Sequence, residues 1–353
     1  MKKIVSIFVG LALTVSLLAG CGSSTKANTN TNANTNNSTS SSDKTEGGVK
    51  TGLAIATSIA SSKDAGDEDG LAQADSTIAA VTVDKDGKIV KCILDVAQTK
   101  VNFSKEGKIL TDLKSTFKTK QELKEEYGMK KASKIGKEWY EQANAFADYV
   151  VGKTAAEVKG IAVTSEGTAS DKDLSSSVTV HVGDFITAVS KAAENAKDLG
   201  AKADDKLGLG VSTDIGDSKD AGDKDGLAQV NSYYTASTFD ASGKVTSSVI
   251  DASQAKVNFT KEGKITSDLK AEVPSKNELG EKYGMKKSSK IGKEWDEQAA
   301  GFAKYVVGKT ADEVKGIAVS AEGTPTDADL KSSVTIHIAP FQNIILAASK
   351  NAK

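Results

Sequence analysis

The chain has 353 residues, of which 38% are hydrophobic and only 5% aromatic, and its 46 basic and 47 acidic side chains leave a formal net charge of −1. That apolar content excludes a wholly disordered chain, and cores must be built from Val, Ile, Leu and Ala rather than from rings. Arginine is absent, which argues against nucleic acid as a partner, because arginine forks supply much of base and phosphate recognition; two Cys (Cys21, Cys92) and two His (His181, His337) cannot form a four-ligand structural zinc site within one domain.

At the N-terminus, Lys2 and Lys3 precede an apolar run from Ile4 to Leu18 that is short for a transmembrane helix and has the form of a secretory signal, residues 1–20. It ends in Leu18-Ala19-Gly20-Cys21, which resembles the lipobox of bacterial lipoproteins. The resemblance implies cleavage before Cys21 and diacylation of its sulfur, and two acyl chains give stable anchoring where one does not. The expected location is the extracytoplasmic face of the cell membrane, with the membrane itself a partner through the lipid. Residues 21–47 are mostly Ser, Thr, Asn, Gly and Lys after Cys21; such a tract cannot bury a core and is expected to be a solvated tether.

The remainder is one unit written twice. Asp64-Ala65-Gly66-Asp67 returns as Asp220-Ala221-Gly222-Asp223, Tyr127 to Lys131 returns as Tyr283 to Lys287, and Phe146 to Val163 returns with two changes as Phe302 to Val319, all at one constant offset. The period far exceeds the roughly 20–50 residues of a solenoid repeat, so tandem domains are expected, at 48–197 and 208–353, with 198–207 as a linker.

Within copy one, Leu53 to Ala56 reads as a strand, Asp64 to Gly70 as a turn-rich loop, and Thr77 to Val83 as an alternating strand. Asp84-Lys85-Asp86-Gly87 is a hairpin turn into a strand over Lys88 to Val96, and Glu106-Gly107 marks a second hairpin between Val101–Phe103 and Lys108–Leu110. Thr119 and Glu122 form a capping box for a short helix, matched by Ser275 and Glu278; a further box at Thr154 and Glu157 caps one more turn. Ile135, Trp139, Ala143, Phe146 and Val150 share one helical face, predicting an amphipathic helix over Ser133 to Val151 with both Trp139 and Trp295 in the cores. Ser177 to Val182 alternates as a strand, and a last helix runs from Phe185 to Ala196. The fold class is therefore α+β: two tandem domains, each a mostly antiparallel sheet with late helices.

The end of each copy is where chemistry could reside. Thr179 and His181 lie opposite the valines of Ser176-Ser177-Val178-Thr179-Val180-His181-Val182; Thr335 and His337 lie opposite Val334, Ile336 and Ile338. The next helix is expected to start at Asp184 and at Pro340, and hydroxyls beside a helix start suit a phosphate. The plain alternative is a hydroxyl and an imidazole on the wet face of an edge strand.

These residues resemble the extracytoplasmic FMN-binding domains of Gram-positive lipoproteins, which often occur in tandem and end in Ser-Gly-Ala-Thr before a helix with an Ala-Val pair. Here the stretch is Ser176-Ser177-Val178-Thr179 with Phe185 and Ala188-Val189 following, and Ser332-Ser333-Val334-Thr335 with Phe341. The Asp86-to-Ile89 hairpin, the lipobox and the two copies agree with it. The resemblance implies FMN as a cofactor, in many members covalent through the Thr, which would put the site at Ser176, Ser177, Thr179 and His181, and at Ser332, Ser333, Thr335 and His337. The motif Gly and Ala are replaced by Ser177 and Val178, and by Ser333 and Val334, and Ser does not give the close backbone approach that Gly does.

On that footing the expected function is a non-catalytic electron carrier with redox partners at the cell surface; the alternative is a flavin-free tandem binding or surface-antigen lipoprotein. Tyr233 and Tyr234 could stack on a flavin ring or be a half-buried strand pair. Asp64, Asp67, Glu68 and Asp69 form a solvated acidic turn or a Ca²⁺ loop, though Lys224 replaces Glu68 in copy two. Cys92 has Ser248 as its counterpart, which points to a small strand residue. Lys130, Lys131 and Lys134, with Lys286, Lys287 and Lys290, make a solvated basic face or a phosphate contact. No hydrolase triad, paired acids or metal triad can be argued from spacing.

Overall fold

The structure, a computed structural model, describes residues 48–353; the expected signal peptide, Cys21 and tether lie outside the described residues. Copy one begins with an antiparallel meander, β1 (Gly48–Ser58), β2 (Gly70–Val83) and β3 (Ile89–Phe103). The β2–β3 turn forms as expected: Asp84 Oδ1 accepts the N–H groups of Asp86 and Lys88 at 2.9 Å, and Gly87 supplies a φ of 79°. The short helices α1 (Lys120–Leu123), α2 (Trp139–Tyr149), α3 (Ala155–Lys159), α4 (Lys172–Ser175) and the longer α5 (Gly183–Glu194) follow. Copy two repeats the plan with β5 (Lys206–Asp214), β6 (Gly226–Phe239), β7 (Val245–Phe259) and helices α6 (Lys276–Leu279), α7 (Trp295–Tyr305), α8 (Ala311–Lys315), α9 (Ala328–Lys331) and α10 (Ala339–Asn351). The fold is α+β, with one antiparallel sheet and one late group of helices per copy.

Three expected elements differ. Residues 198–207 are not a linker: β4 (Lys197–Lys202) pairs antiparallel with β1 at the edge of the first sheet, in the order β3-β2-β1-β4, and β5 begins at Lys206. An open strand edge with unpaired N–H and C=O groups captures this segment despite its lack of apolar alternation. The helix expected from Ser133 starts only at Trp139, because Gly136 takes a φ of 64° and Glu138 caps the helix, its carboxylate and that of Glu141 closing a reciprocal box. Strand β2 starts at Gly70 rather than Thr77; Gln73 and Asp75 interrupt the apolar alternation, but the Asp75 carboxylate accepts from the Gln73 amide and from that of Gln98 on β3.

The outer face of the first sheet (Ala54, Ala79, Val81, Leu94) packs on α2 and α5 through Trp139, Phe146, Phe185 and Val189. The inner face packs on the other sheet: Leu53, Ile55, Ile78 and Ile93 meet Leu207, Leu209, Tyr234 and Ala236. Copy two mirrors this, with Phe239, Val245 and Ile250 facing Trp295, Phe302 and Phe341. The result is four layers (helices, sheet, sheet, helices), with strands buried on both faces and a Thr51–Ser247 hydroxyl bond of 2.6 Å between the sheets. On the outer side, α5 crosses β1 so closely that a Cβ on Gly52 would lie 2.0 Å from the Ala192 carbonyl oxygen.

The acidic turns lock the two copies together. Asp64 accepts the N–H of Ile265 at 2.8 Å and pairs with Lys264; Asp220 accepts the N–H of Ile109 at 2.8 Å and pairs with Lys108. Ala65 donates its N–H to Gly263 of copy two, Ala221 donates to Gly107 of copy one, and Phe103 stacks on Phe259 with ring centroids 4.2 Å apart. Asp67, Glu68 and Asp69 stay exposed as a solvated acidic turn while Asp64 is bonded to the other copy, and among the described residues no cluster of His, Cys, Asp or Glu suits a metal. Among them, too, no helix is long and apolar enough to cross a membrane.

Candidate functional site

The segment expected as a strand at 177–182 is an extended turn. Asp171 caps α4, Ser176 ends it, and only His181 makes a bridge, to Thr168. Val178 and Val182 are buried, so the apolar alternation is satisfied by the core alone, with no neighbouring strand. The place of a ladder is taken by one side chain. The Oε1 of Gln142, on α2 and fully buried, accepts the N–H of Thr179 at 2.7 Å, the Thr179 hydroxyl at 3.2 Å and the N–H of Val180 at 3.2 Å. Its Nε2 donates to Ser133 Oγ and to the Lys137 carbonyl. Gln298 treats Thr335 the same way, at 2.8 and 3.2 Å. Sequence reasoning missed both glutamines, since nothing in their spacing marks a contact 37 residues away.

The motif serines bond to carbonyls of the preceding short helices. The Ser176 and Ser332 hydroxyls donate to the carbonyls of Asp173 and Asp329, and Ser177 and Ser333 donate to Leu174 and Leu330. His181 and His337 are exposed, beside Gly167 and Gly323. The following helices start at Gly183 and Ala339, one residue earlier than expected, behind Val182 and Ile338, which offer no capping side chain. In copy one Asp184 then places a carboxylate in the first turn, where a phosphate would sit. Clefts of about 300 to 540 Å³ open beside Val249, Lys276 and Lys191, and no motif residue lines them. Every motif hydroxyl has a hydrogen-bond partner within its own chain, and none of these clefts adjoins it.

Tyr234 is fully buried with its hydroxyl on Ser253 at 2.8 Å, so it cannot stack on a cofactor; Tyr233 packs edge-on against Phe341, and burial pushes its phenol up to about 12. Cys92 is buried in β3 and its thiol is pushed up to about 12, which leaves it inert as a nucleophile. Trp139 and Trp295 are core residues as expected. Lys130, Lys131 and Lys134 are exposed, as are their counterparts Lys286, Lys287 and Lys290. Two features had no sequence signal. Asp95 and Asp251 are buried mid-strand, and burial pushes their carboxyls to about 7 and about 6. Lys120 and Lys276, each just inside a capping box, lie over Tyr127 and Trp139 and over Tyr283 and Trp295.

No family model matches the chain, and no solved structure does. A curated protein from Desulfitobacterium hafniense, described as chlorophenol reductase, is 34% identical over 94 residues, which cover 24% of this chain and 29% of that protein. The chain thus matches less than a third of that relative's length.

Proposed function

We propose that this protein is a lipid-anchored extracytoplasmic module that works by binding, without flavin and without catalysis. Cys21 carries the anchor, and residues 22–47 hold the double unit off the membrane. The observation behind the flavin-free reading is the grip of Gln142 on Thr179, repeated by Gln298 on Thr335: the hydroxyl that would carry FMN donates to a buried amide instead. Intact-mass measurement on protein from its native host tests this. The expected mass is that of the chain beginning at Cys21 plus a diacylglyceryl group, with no FMN increment. An FMN increment that disappears in the Thr179→Ala, Thr335→Ala double variant would overturn it. A second reading, an FMN electron carrier between a membrane donor and an extracellular acceptor, is favoured by the description of the Desulfitobacterium relative as a reductase; the same measurement separates the two.

A further inference from the structure

We infer that copy two holds a site for a small amphipathic anion, a carboxylate or phosphate monoester with an apolar body, in the cleft beside Lys276. This gives the proposed binding module a ligand class and rests on that reading.

Lys276 is 9% exposed, and its ammonium sits 4.6 Å from the ring centroid of Tyr283 and 4.8 Å from that of Trp295. Among the described residues no carboxylate pairs with it and no hydrogen bond reaches its Nζ. Two ring faces offset part of the lost hydration of a cation, but a buried lysine ordinarily also has a counter-charge. Lys276 lines a cleft of about 540 Å³, within the usual range for a small-molecule site. Val273, Pro274 and Leu279 give the cleft an apolar wall, Tyr283 an aromatic one, and Lys256 and Lys282 stand at its rim. Asp268 and Glu272 also line it, so three ammonium groups face two carboxylates, and one oxygen of Asp268 already accepts the N–H of Lys270.

Copy one repeats the lysine over its two rings with different neighbours. Lys120 lies over Tyr127 and Trp139 at 4.7 and 5.4 Å, but Glu126 stands where copy two has Lys282, and it pairs with Lys118 at 2.8 Å where copy two has Pro274. Phe117 replaces Val273, a larger side chain at the wall. The counterpart positions of copy one also hold three lysines (Lys100, Lys118, Lys120) and two carboxylates (Asp112, Glu126), so the copies differ in how these pair and in side-chain size rather than in net charge.

Calorimetric titration of the full chain in detergent, with benzoate, phenyl phosphate and inorganic phosphate as probes, tests the assignment. One molar equivalent of benzoate or phenyl phosphate is expected to bind, with phenyl phosphate at least tenfold tighter than inorganic phosphate. Lys276→Met should weaken binding at least tenfold and Lys282→Glu, a change at an exposed side chain, at least threefold; Lys120→Met should change nothing. Absence of saturable binding, binding indifferent to both Lys276→Met and Lys282→Glu, or equal affinity for phenyl and inorganic phosphate would overturn it. An FMN increment at Thr179 or Thr335 would sink the flavin-free reading while leaving this titration outcome intact, so the two failures are distinguishable.

Discussion

Asp95 and Asp251 are the residues whose chemistry the fold alters most. Each offers one oxygen to two backbone N–H groups, of Val96 and Gln121 and of Ala252 and Asn277, yet desolvation outweighs these bonds and raises both carboxyls from 3.8, to about 7 and about 6. A carboxyl raised by folding means that the native state holds the proton more tightly than the unfolded chain. Its stabilising contribution is therefore present in full below about pH 4 and is lost as pH rises through 6 to 7. Urea unfolding at a series of pH values is expected to show stability falling between pH 4 and 7, and the Asp95→Asn, Asp251→Asn pair, which keeps the accepting oxygen, should flatten that slope. The effect is on the order of 1 kcal/mol or more per site, since a tenfold change in proton affinity corresponds to about 1.4 kcal/mol. An unchanged slope in the double variant would contradict the burial argument.

Elements set by local chemistry were legible in the sequence, and elements set by partners were not. The boxes at Thr119 and Glu122, Ser275 and Glu278, and Thr154 and Glu157 all form, because cap and partner lie within one turn. The β2–β3 hairpin was legible for the same reason. Strand β4 was not: Lys-Asp-Leu-Gly-Ala-Lys carries no strand pattern, and only the free edge of β1 makes it one. The stretch at 177–182 erred the other way, since Val178 and Val182 alternate like a strand but no neighbour exists and Gln142 supplies the bonds. The strand expected to carry Thr179 thus does not form, and the bonds of a ladder come from one glutamine instead. Gln142→Leu would strand the N–H groups of Thr179 and Val180, and thermal unfolding should show a loss of about 1–3 kcal/mol. Backbone conformation gives a further contrast. Gly87 and Gly107 both have positive φ, 79° and 71°, but a Cβ on Gly87 meets nothing, whereas on Gly107 it would lie 2.7 Å from the Ala221 Cβ. Gly87→Ala should cost about 1 kcal/mol, and Gly107→Ala distinctly more, because it also pushes the copies apart; equal losses would argue against the interlock.

At the scale of the whole molecule, the duplication makes one body. The inner faces of the sheets cover each other, and each acidic turn is bonded to the other copy's hairpin. Neither copy could expose Leu53, Ile55 and Ile78, or Leu207 and Leu209, to water without a second copy against them. Chemical denaturation is expected to give a single transition that coincides for probes in both copies, and Phe103→Ala should shift both equally; two separable transitions would mean independent domains. Helices α2 and α7, whose Gln142 and Gln298 hold Thr179 and Thr335, belong to the separate helical layers of the two copies. The most direct measurement is a titration of the purified full chain with FMN, followed by flavin fluorescence. The account predicts no saturable quenching attributable to Thr179 or Thr335, hence identical curves for the wild type and the double alanine variant. Tight, stoichiometric quenching that the double variant abolishes would contradict it.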